Sequence, residues 1–329
     1  MSMELVCRFC GRLEDTLDDI DSSEEGFWCD YCDGFTYFNS SNEHRFTLLL
    51  EEKGQKEEST PRLAAPKIKF NKQLSCLRYP GGKSKMIPAI HSKIRETKSE
   101  CLVGAYAGGA SAEFALLEAG VVKRLVLNDV DFGIYALYWT IKHAPYDLIY
   151  RLQSSSSPSE KDYFNAQKII KKDYPDCTTL DAAWYTLLVN RLAYSGIYKA
   201  NPLGGRNGEA VKRLSRWNPD RLIQRIEKIH TLSDRITVLN EDALHVIEEY
   251  YWSLEGTTIF VDPPFVEKGN QLYRHFYKKN EHVALNVLLE SLYQGMPGAD
   301  IIVTYDDHPL IRDLYYLPTT ENIRRYYSI

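Results

Sequence analysis

From Cys101 to Asp129 the chain alternates in a way that few architectures accept. CLVGAY (101–106) is a short apolar run, ASAEFALLEAG (110–120) has helical spacing and closes on glycine, and RLVLND (124–129) is a second apolar run. A strand, a helix and a strand in that order make a parallel pair, since antiparallel neighbours need only a short turn between them. The pattern resumes with a helix through YALYWTIKH (135–143) and strands at ITVLN (236–240) and TTIFV (257–261). A helix around HVALNVLLESLYQG (282–295) and a strand at DIIVTY (300–305) close it. The expected fold is an open, largely parallel α/β sheet of Rossmann-like form over 67–144 and 230–329. Residues 145–229 break the rhythm with an SSSSPSE loop, helix-like stretches and the turn NPLGGRNGE, and are expected as a helical insertion.

With 44% apolar and 26% charged residues, the 329-residue chain has the composition of an ordinary globular protein. No window approaches the roughly 18 unbroken apolar residues of a spanning helix. The start, MSMELVCRFCG, lacks the basic and apolar regions of an export signal, so no membrane partner and a cytoplasmic location are expected. The net charge of -5 conceals two regions of opposite sign. Residues 1–61 hold 15 Asp and Glu against 5 Lys and Arg; the remainder holds 30 against 35, with a dense basic stretch from Arg62 to Lys98. The larger part can meet phosphates, and the smaller would repel them.

Cys7-x-x-Cys10 and Cys29-x-x-Cys32 are spaced for four thiolates converging on one tetrahedral zinc. A disulfide framework fits less well, because the attached domain is large and no export signal precedes it. Residues 1–50 therefore read as a zinc-ribbon-like module, with glycine knuckles at CRFCGR and WCDYCDGF and short strands in FTYF and HRFTLLLEE. EEKGQKEESTPRLAAP (51–66) reads as a linker. The acidity of the module points to a protein partner rather than to DNA. Cys76, Cys101 and Cys177 read as small core residues.

In an open α/β sheet, ligands sit beyond the carboxyl ends of the strands near the point where the strand order reverses. CLVGAYAGGAS has the form such a site requires: Gly104, Gly108 and Gly109 let a cofactor approach the backbone. Asp129, 20 residues after Gly109, can accept both hydroxyls of a ribose. That spacing suits a nicotinamide dehydrogenase as readily as an S-adenosylmethionine enzyme, and a turn without ligand also satisfies it. Upstream, LRYPGGKSK (77–85) ends like a P-loop, but the position that needs the first glycine is Leu77. An ATPase loses its basis there, whereas a nest of N–H groups with a lysine for a carboxylate does not.

IFVDPPF (259–265) reads as a buried strand that ends in a carboxylate, two prolines and an aromatic ring. Proline disfavours the helical region for its predecessor, so Asp262 and Pro263 are both driven to extended backbone and the loop is stiff. Such a platform can aim the Asp262 carboxylate and the Pro263 carbonyl at one point, with Phe265 beside it. Acceptors on both hydrogens of an aromatic amine favour the geometry in which its delocalised lone pair faces an electrophile. A proline turn with a capping aspartate is the structural alternative.

These pieces together resemble the Dam-type class (class alpha) of DNA adenine methyltransferases across almost all of 74–327. The resemblance rests on YPGGK (79–83), AYAGG (105–109), NDVD (128–131), NRLAYSGIYKANPLGG (190–205), RWNP (216–219), LNED (239–242), DPPF (262–265) with EKGNQLYRHF, and TYDDHPLIRDLY (304–315), in that order. It implies that Tyr79, Gly82 and Lys83 line the methionine end of S-adenosylmethionine. The turn Ala105, Tyr106, Ala107, Gly108 and Gly109 would pass under the cofactor, Asp129 would take its ribose and Asp242 its adenine amine. Asp262, Pro263, Pro264 and Phe265 would receive an adenine flipped out of the duplex. Phe265 stands where the family more often has tyrosine, which keeps the stacking face. In the insertion, Arg191, Tyr194, Tyr198, Lys199, Asn201, Arg206, Arg216 and Trp217 would meet DNA by phosphate contact and stacking. The acidic cysteine-bearing module lies outside the family core, and the chain stops at IRRYYSI where relatives commonly add a last strand.

The expected activity is site-specific methyl transfer from S-adenosylmethionine to the exocyclic amine of adenine in double-stranded DNA. Neither a covalent enzyme intermediate nor a catalytic metal is required, and structural zinc belongs to the ribbon. The competing classes are a methyltransferase for the cytosine amine or for RNA, an inactive DNA- or cofactor-binding module of the same fold, and a dehydrogenase.

Overall fold

A computed structural model describes residues 45–53, 68–252, 256–295 and 298–325, together with four short strands closer to the N-terminus. Those four, β1 (Glu4–Val6) with β2 (Leu13–Thr16) and β3 (Gly26–Cys29) with β4 (Gly34–Tyr37), form two antiparallel pairs. Cys7, Cys10 and Cys32 lie outside the described residues, as does the side chain of Cys29, so the expected metal ligands are not among them. The main sheet contains β5 (Phe46–Lys53), β6 (Cys101–Gly104), β7 (Arg124–Asn128), β8 (Ile236–Leu239), β9 (Thr257–Val261), β10 (Asp300–Asp306) and β11 (Thr319–Arg325). Their order is β11-β5-β10-β9-β6-β7-β8, and every pairing is parallel.

Parallel strands are covered on both faces, and alternation of side chains divides their apolar residues into two cores. Leu49, Leu102, Phe260 and Ile302 enter one core; Leu48, Leu50, Val103, Ile259, Val261, Ile301 and Val303 enter the other. The first core is capped by α1 (Ile87–Thr97), α2 (Ser111–Glu118) and α3 (Phe132–His143). The second takes α9 (Ala243–Tyr251), α11 (Lys279–Gln294) and α12 (Pro309–Leu314). Between them in the chain, the single turn α10 (Gly269–Leu272) follows the DPPF loop.

β5 corrects the expected boundary. FTLLLEE, assigned to the ribbon by its nearness to the cysteines, pairs on one side with β10, Leu49 opposite Thr304, and on the other with β11, Leu49 opposite Glu321. Its three consecutive leucines, all buried, are what a strand covered on both faces needs. The expected linker at 51–66 therefore begins inside the sheet. The C-terminal stretch forms a strand as well, β11, parallel to its neighbour.

The insertion is helical, with α4 (Pro145–Ser154), α5 (Glu160–Lys171), α6 (Thr179–Leu192), α7 (Ala210–Leu214) and α8 (Pro219–His230). Its buried residues, among them Leu148, Tyr163, Leu187 and Ile226, run into the first core. Trp217 is one of them. It is 7% exposed, its ring lies edge-on to Trp184 at 5.9 Å, and its Nε1 donates to the Ser155 carbonyl at 3.2 Å, so it is a core residue and not a stacking platform for DNA. Trp217→Ala is expected to cost about 3–5 kcal/mol in chemical denaturation. Tyr194→Ala, at a site 66% exposed, is expected to stay within about 0.5 kcal/mol of the native protein.

Candidate active site

β6 lies between β7 and β9, and the chain leaves it for β7 and β8 on one side before crossing to β9 and β10 on the other. The reversal falls between β6 and β9, where Gly104 is opposite Phe260 and the Ala105 N–H donates to the Phe260 carbonyl at 3.1 Å. The glycine turn and the DPPF platform are thus neighbours at the carboxyl edge of the sheet. A cavity of about 340 Å³ opens between them, lined by Tyr79, Gly82, Lys83, Ala105 to Gly109, Asp129, Asp242 and Asp262 to Pro264. Every expected cofactor residue reaches it. Phe265 is the exception among the platform residues: its ring packs over Gly81, where a Cβ would come within 2.8 Å of it, and edge-on to Tyr273.

Alternation places Glu51 of β5, Thr304 of β10 and Asp262, just past β9, on one face of three adjacent strands. Lys83 meets them there. Its Nζ lies 2.6 Å from Asp262 Oδ1 and 3.1 Å from Glu51 Oε1, and its side chain is 4% exposed. Thr304 Oγ1 donates to the same Asp262 oxygen at 2.7 Å. Lys83 therefore lines the cavity but turns its ammonium to the platform acid, rather than to a cofactor carboxylate. Burial raises the Asp262 carboxyl above the ordinary aspartate range, Lys83 and Thr304 oppose this, and Glu51 adds to it. Glu113, under Gly104, is pushed up to about 8 by burial and is neutral at pH 7.

Asp129 braces the opposite wall. Its Oδ2 accepts the Gly108 N–H at 2.8 Å and its Oδ1 the Asp131 N–H at 2.9 Å, while burial and the Asp131 charge push it up to about 7. Each carboxylate oxygen has a second lone pair, so these bonds leave acceptor capacity toward the cavity. Asp242 caps α9, accepting the Leu244 N–H at 2.9 Å. Gly108 and Gly109 line the cavity, and a Cβ at either would also meet the Tyr79 side chain, at 2.7 or 2.8 Å; Gly108 has in addition a left-handed φ of 46°. Tyr79 stacks in turn on Tyr273, 5.5 Å between centroids, and Tyr273 donates to the Pro80 carbonyl at 3.0 Å.

The expected DNA contacts divide. Tyr194, Lys199, Asn201, Arg206 and Arg216 are exposed, and Arg191 and Tyr198 are half-buried. Lys199 Nζ donates to the Asn270 carbonyl at 2.8 Å, which ties the insertion to the loop after DPPF. Arg274 in that loop pairs with Asp131 at 3.2 Å and faces the cavity. Arg274, Thr304, Glu113 and Glu51 receive no role from the sequence. The first two stand in motifs that the resemblance covers; Glu51 carries no such signal. Among the described residues, no group of three or more His, Cys, Asp or Glu could hold a metal, and no helix is long and apolar enough to cross a membrane.

Residues 79–326 match the family of D12 class N6 adenine-specific DNA methyltransferases. The chain belongs to that family. A relative, the Type II methyltransferase M.MjaIII of Methanocaldococcus jannaschii, is 20% identical over 203 residues, 57% of this chain and 68% of the relative. In this methyltransferase, β5 and Glu51 precede the matched region. Replacing Glu51 by Gln removes a carboxylate that raises Asp262, so the acid limb of kcat is expected to move to lower pH. Lys83→Met removes the counter-ion and is expected to move the limb to higher pH, with a stability loss of about 3–5 kcal/mol. Steady-state pH profiles of both variants check this; shifts in the same direction would contradict the coupling.

Proposed function

We propose that the protein binds S-adenosylmethionine against the glycine turn and methylates the N6 amine of an adenine that enters the same cavity from double-stranded DNA. The observation that carries this is the shared cavity, in which the held Asp262 carboxylate faces the turn across the reversal of strand order. The donor set fits the cofactor: Asp129 and Asp242 offer acceptors for ribose hydroxyls and an adenine amine, and Tyr79 and Tyr106 offer aromatic walls. S-adenosylmethionine supplies a methyl group already activated as an electrophile. The protein's share is aim. Lys83 and Thr304 engage Asp262 Oδ1 and fix the rotamer, so that Oδ2 takes one amine hydrogen while the Pro263 carbonyl takes the other. Arg274, paired with Asp131, and Tyr277, whose hydroxyl shares a hydrogen bond of 2.7 Å with that of Tyr106 in the turn, also line the cavity.

The Type II relative supports action at one recognition sequence, in a restriction–modification setting. The four paired cysteines support a structural zinc in the N-terminal segment, and the acidity of residues 1–61 supports docking to a protein rather than to DNA. Duplex DNA incubated with methyl-labelled cofactor and digested to nucleosides is expected to yield labelled N6-methyldeoxyadenosine. Asp262→Asn is expected to lower kcat on the order of a hundred-fold or more, with cofactor affinity retained. Label on cytosine, or on adenosine from RNA alone, would overturn the substrate; no label on any adenine-containing duplex would overturn the activity.

A further inference from the structure

Tyr79, Gly82, Gly109 and Ser111 form a wall with a cavity on each side, the cofactor cavity on one and a second, of about 500 Å³, on the other. The second cavity is lined by Lys72, Arg78, Arg191, Arg216, Arg221 and Arg225, and, among the described residues, by no acidic one. Two of its arginines find only neutral partners: Arg191 Nε and Nη2 donate to the Arg216 carbonyl at 3.2 and 2.9 Å, and Arg225 Nη1 to the Ser75 carbonyl at 2.7 Å. Arg78 Nη1 is buried with no hydrogen-bond partner, and so is Ser111 Oγ. Both line this cavity. Like charges gathered in a partly dry space without a counter-ion are unfavourable, and buried donors without acceptors add to the cost. Burial and then the neighbouring Arg225 and Arg78 push Arg191 down to about 10, and burial with Arg216 lowers Arg78.

We propose that this cavity is a phosphate site, and that it grips a backbone phosphate of the duplex beside the nucleotide being methylated. A phosphate oxyanion supplies the missing negative charge and several acceptors at once, and guanidinium forks bind it in a bidentate manner. Donors reach it from three separate stretches, 72–78, Arg191 of α6 and 216–225, which suits a compact anion better than a flat carboxylate. The shared wall favours DNA over free phosphate as its source, because the backbone that follows a flipped base must pass close to the cavity receiving that base. The assignment to DNA rests on the proposed methyltransferase function; the anion site does not.

The test compares the full-length protein with Arg78→Gln/Arg225→Gln. At constant ionic strength, inorganic phosphate is expected to raise the Tm of the native protein and not that of the variant. Without phosphate the variant is expected to be no less stable, since two repelling charges are gone. Its affinity for duplex DNA is expected to fall about ten-fold, and its slope of log K against log salt to shrink by about 0.9 for each phosphate that the protein no longer neutralises, with S-adenosylmethionine binding unchanged. An equal phosphate shift in both proteins, or a clear drop in Tm of the variant without phosphate, overturns the site. Phosphate binding by the native protein alone, with DNA affinity and salt slope unchanged in the variant, overturns DNA as the source. A native protein that binds phosphate here but no DNA at all contradicts the methyltransferase function and leaves the anion site standing.

Discussion

The parallel pairing of β6 with β9 is the constraint on which the molecule depends. It sets Gly104 against Phe260, and everything functional follows from the residues just beyond those two. The glycine turn leaves one strand and the Asp-Pro-Pro platform leaves the other, so a donor on the first and an acceptor on the second need no long reach. A one-residue slip of β9 would move Asp262 to the opposite face, away from Lys83 and the cavity. Two cores, one on each face, oppose that slip, because Phe260 belongs to one and Ile259 and Val261 to the other.

On this frame the face of the sheet that carries Asp262 gathers buried charge. Asp262, Glu51 and Lys83 meet with Thr304, and Glu113 stays protonated nearby. Removing charges from water is unfavourable unless they are paired, and here one lysine lies between two carboxylates. Burial raises the Asp262 carboxyl, Lys83 and Thr304 oppose that rise, and both hold its Oδ1 in place. The cluster also brings a strand from outside the family match, β5, to the residues around Asp262.

Much of this is legible in the sequence, for a physical reason. Strands covered on both faces leave short apolar runs, crossover helices leave helical periodicity, and prolines after a strand restrict the backbone whatever surrounds them. The cofactor turn and the platform therefore show in local signals, and the fold brings them together. β5 escapes such a reading because composition sets it beside the cysteines, while its pairing with β10 joins residues some 250 positions apart, which no local pattern encodes. Trp217 escapes it differently. An aromatic residue among arginines reads equally well as a stacking surface or as core, and only Trp184 and the Ser155 carbonyl decide. At Gly108 and Gly109 the need for glycine is legible, while the packing of Tyr79 against both is not, because it joins positions some thirty residues apart.

The central claim is that methyl donor and adenine occupy one cavity, within reach of a single carboxylate. A bisubstrate ligand tests it directly: adenosine joined through its N6 atom, by a two-carbon link, to the position that carries the methyl group in an S-adenosylmethionine analogue. Calorimetry is expected to show one ligand per chain, bound on the order of a hundred-fold more tightly than the cofactor half alone, with most of that gain absent in Asp262→Asn. Binding no tighter than the cofactor half, or unaffected by the Asp262 substitution, would contradict it.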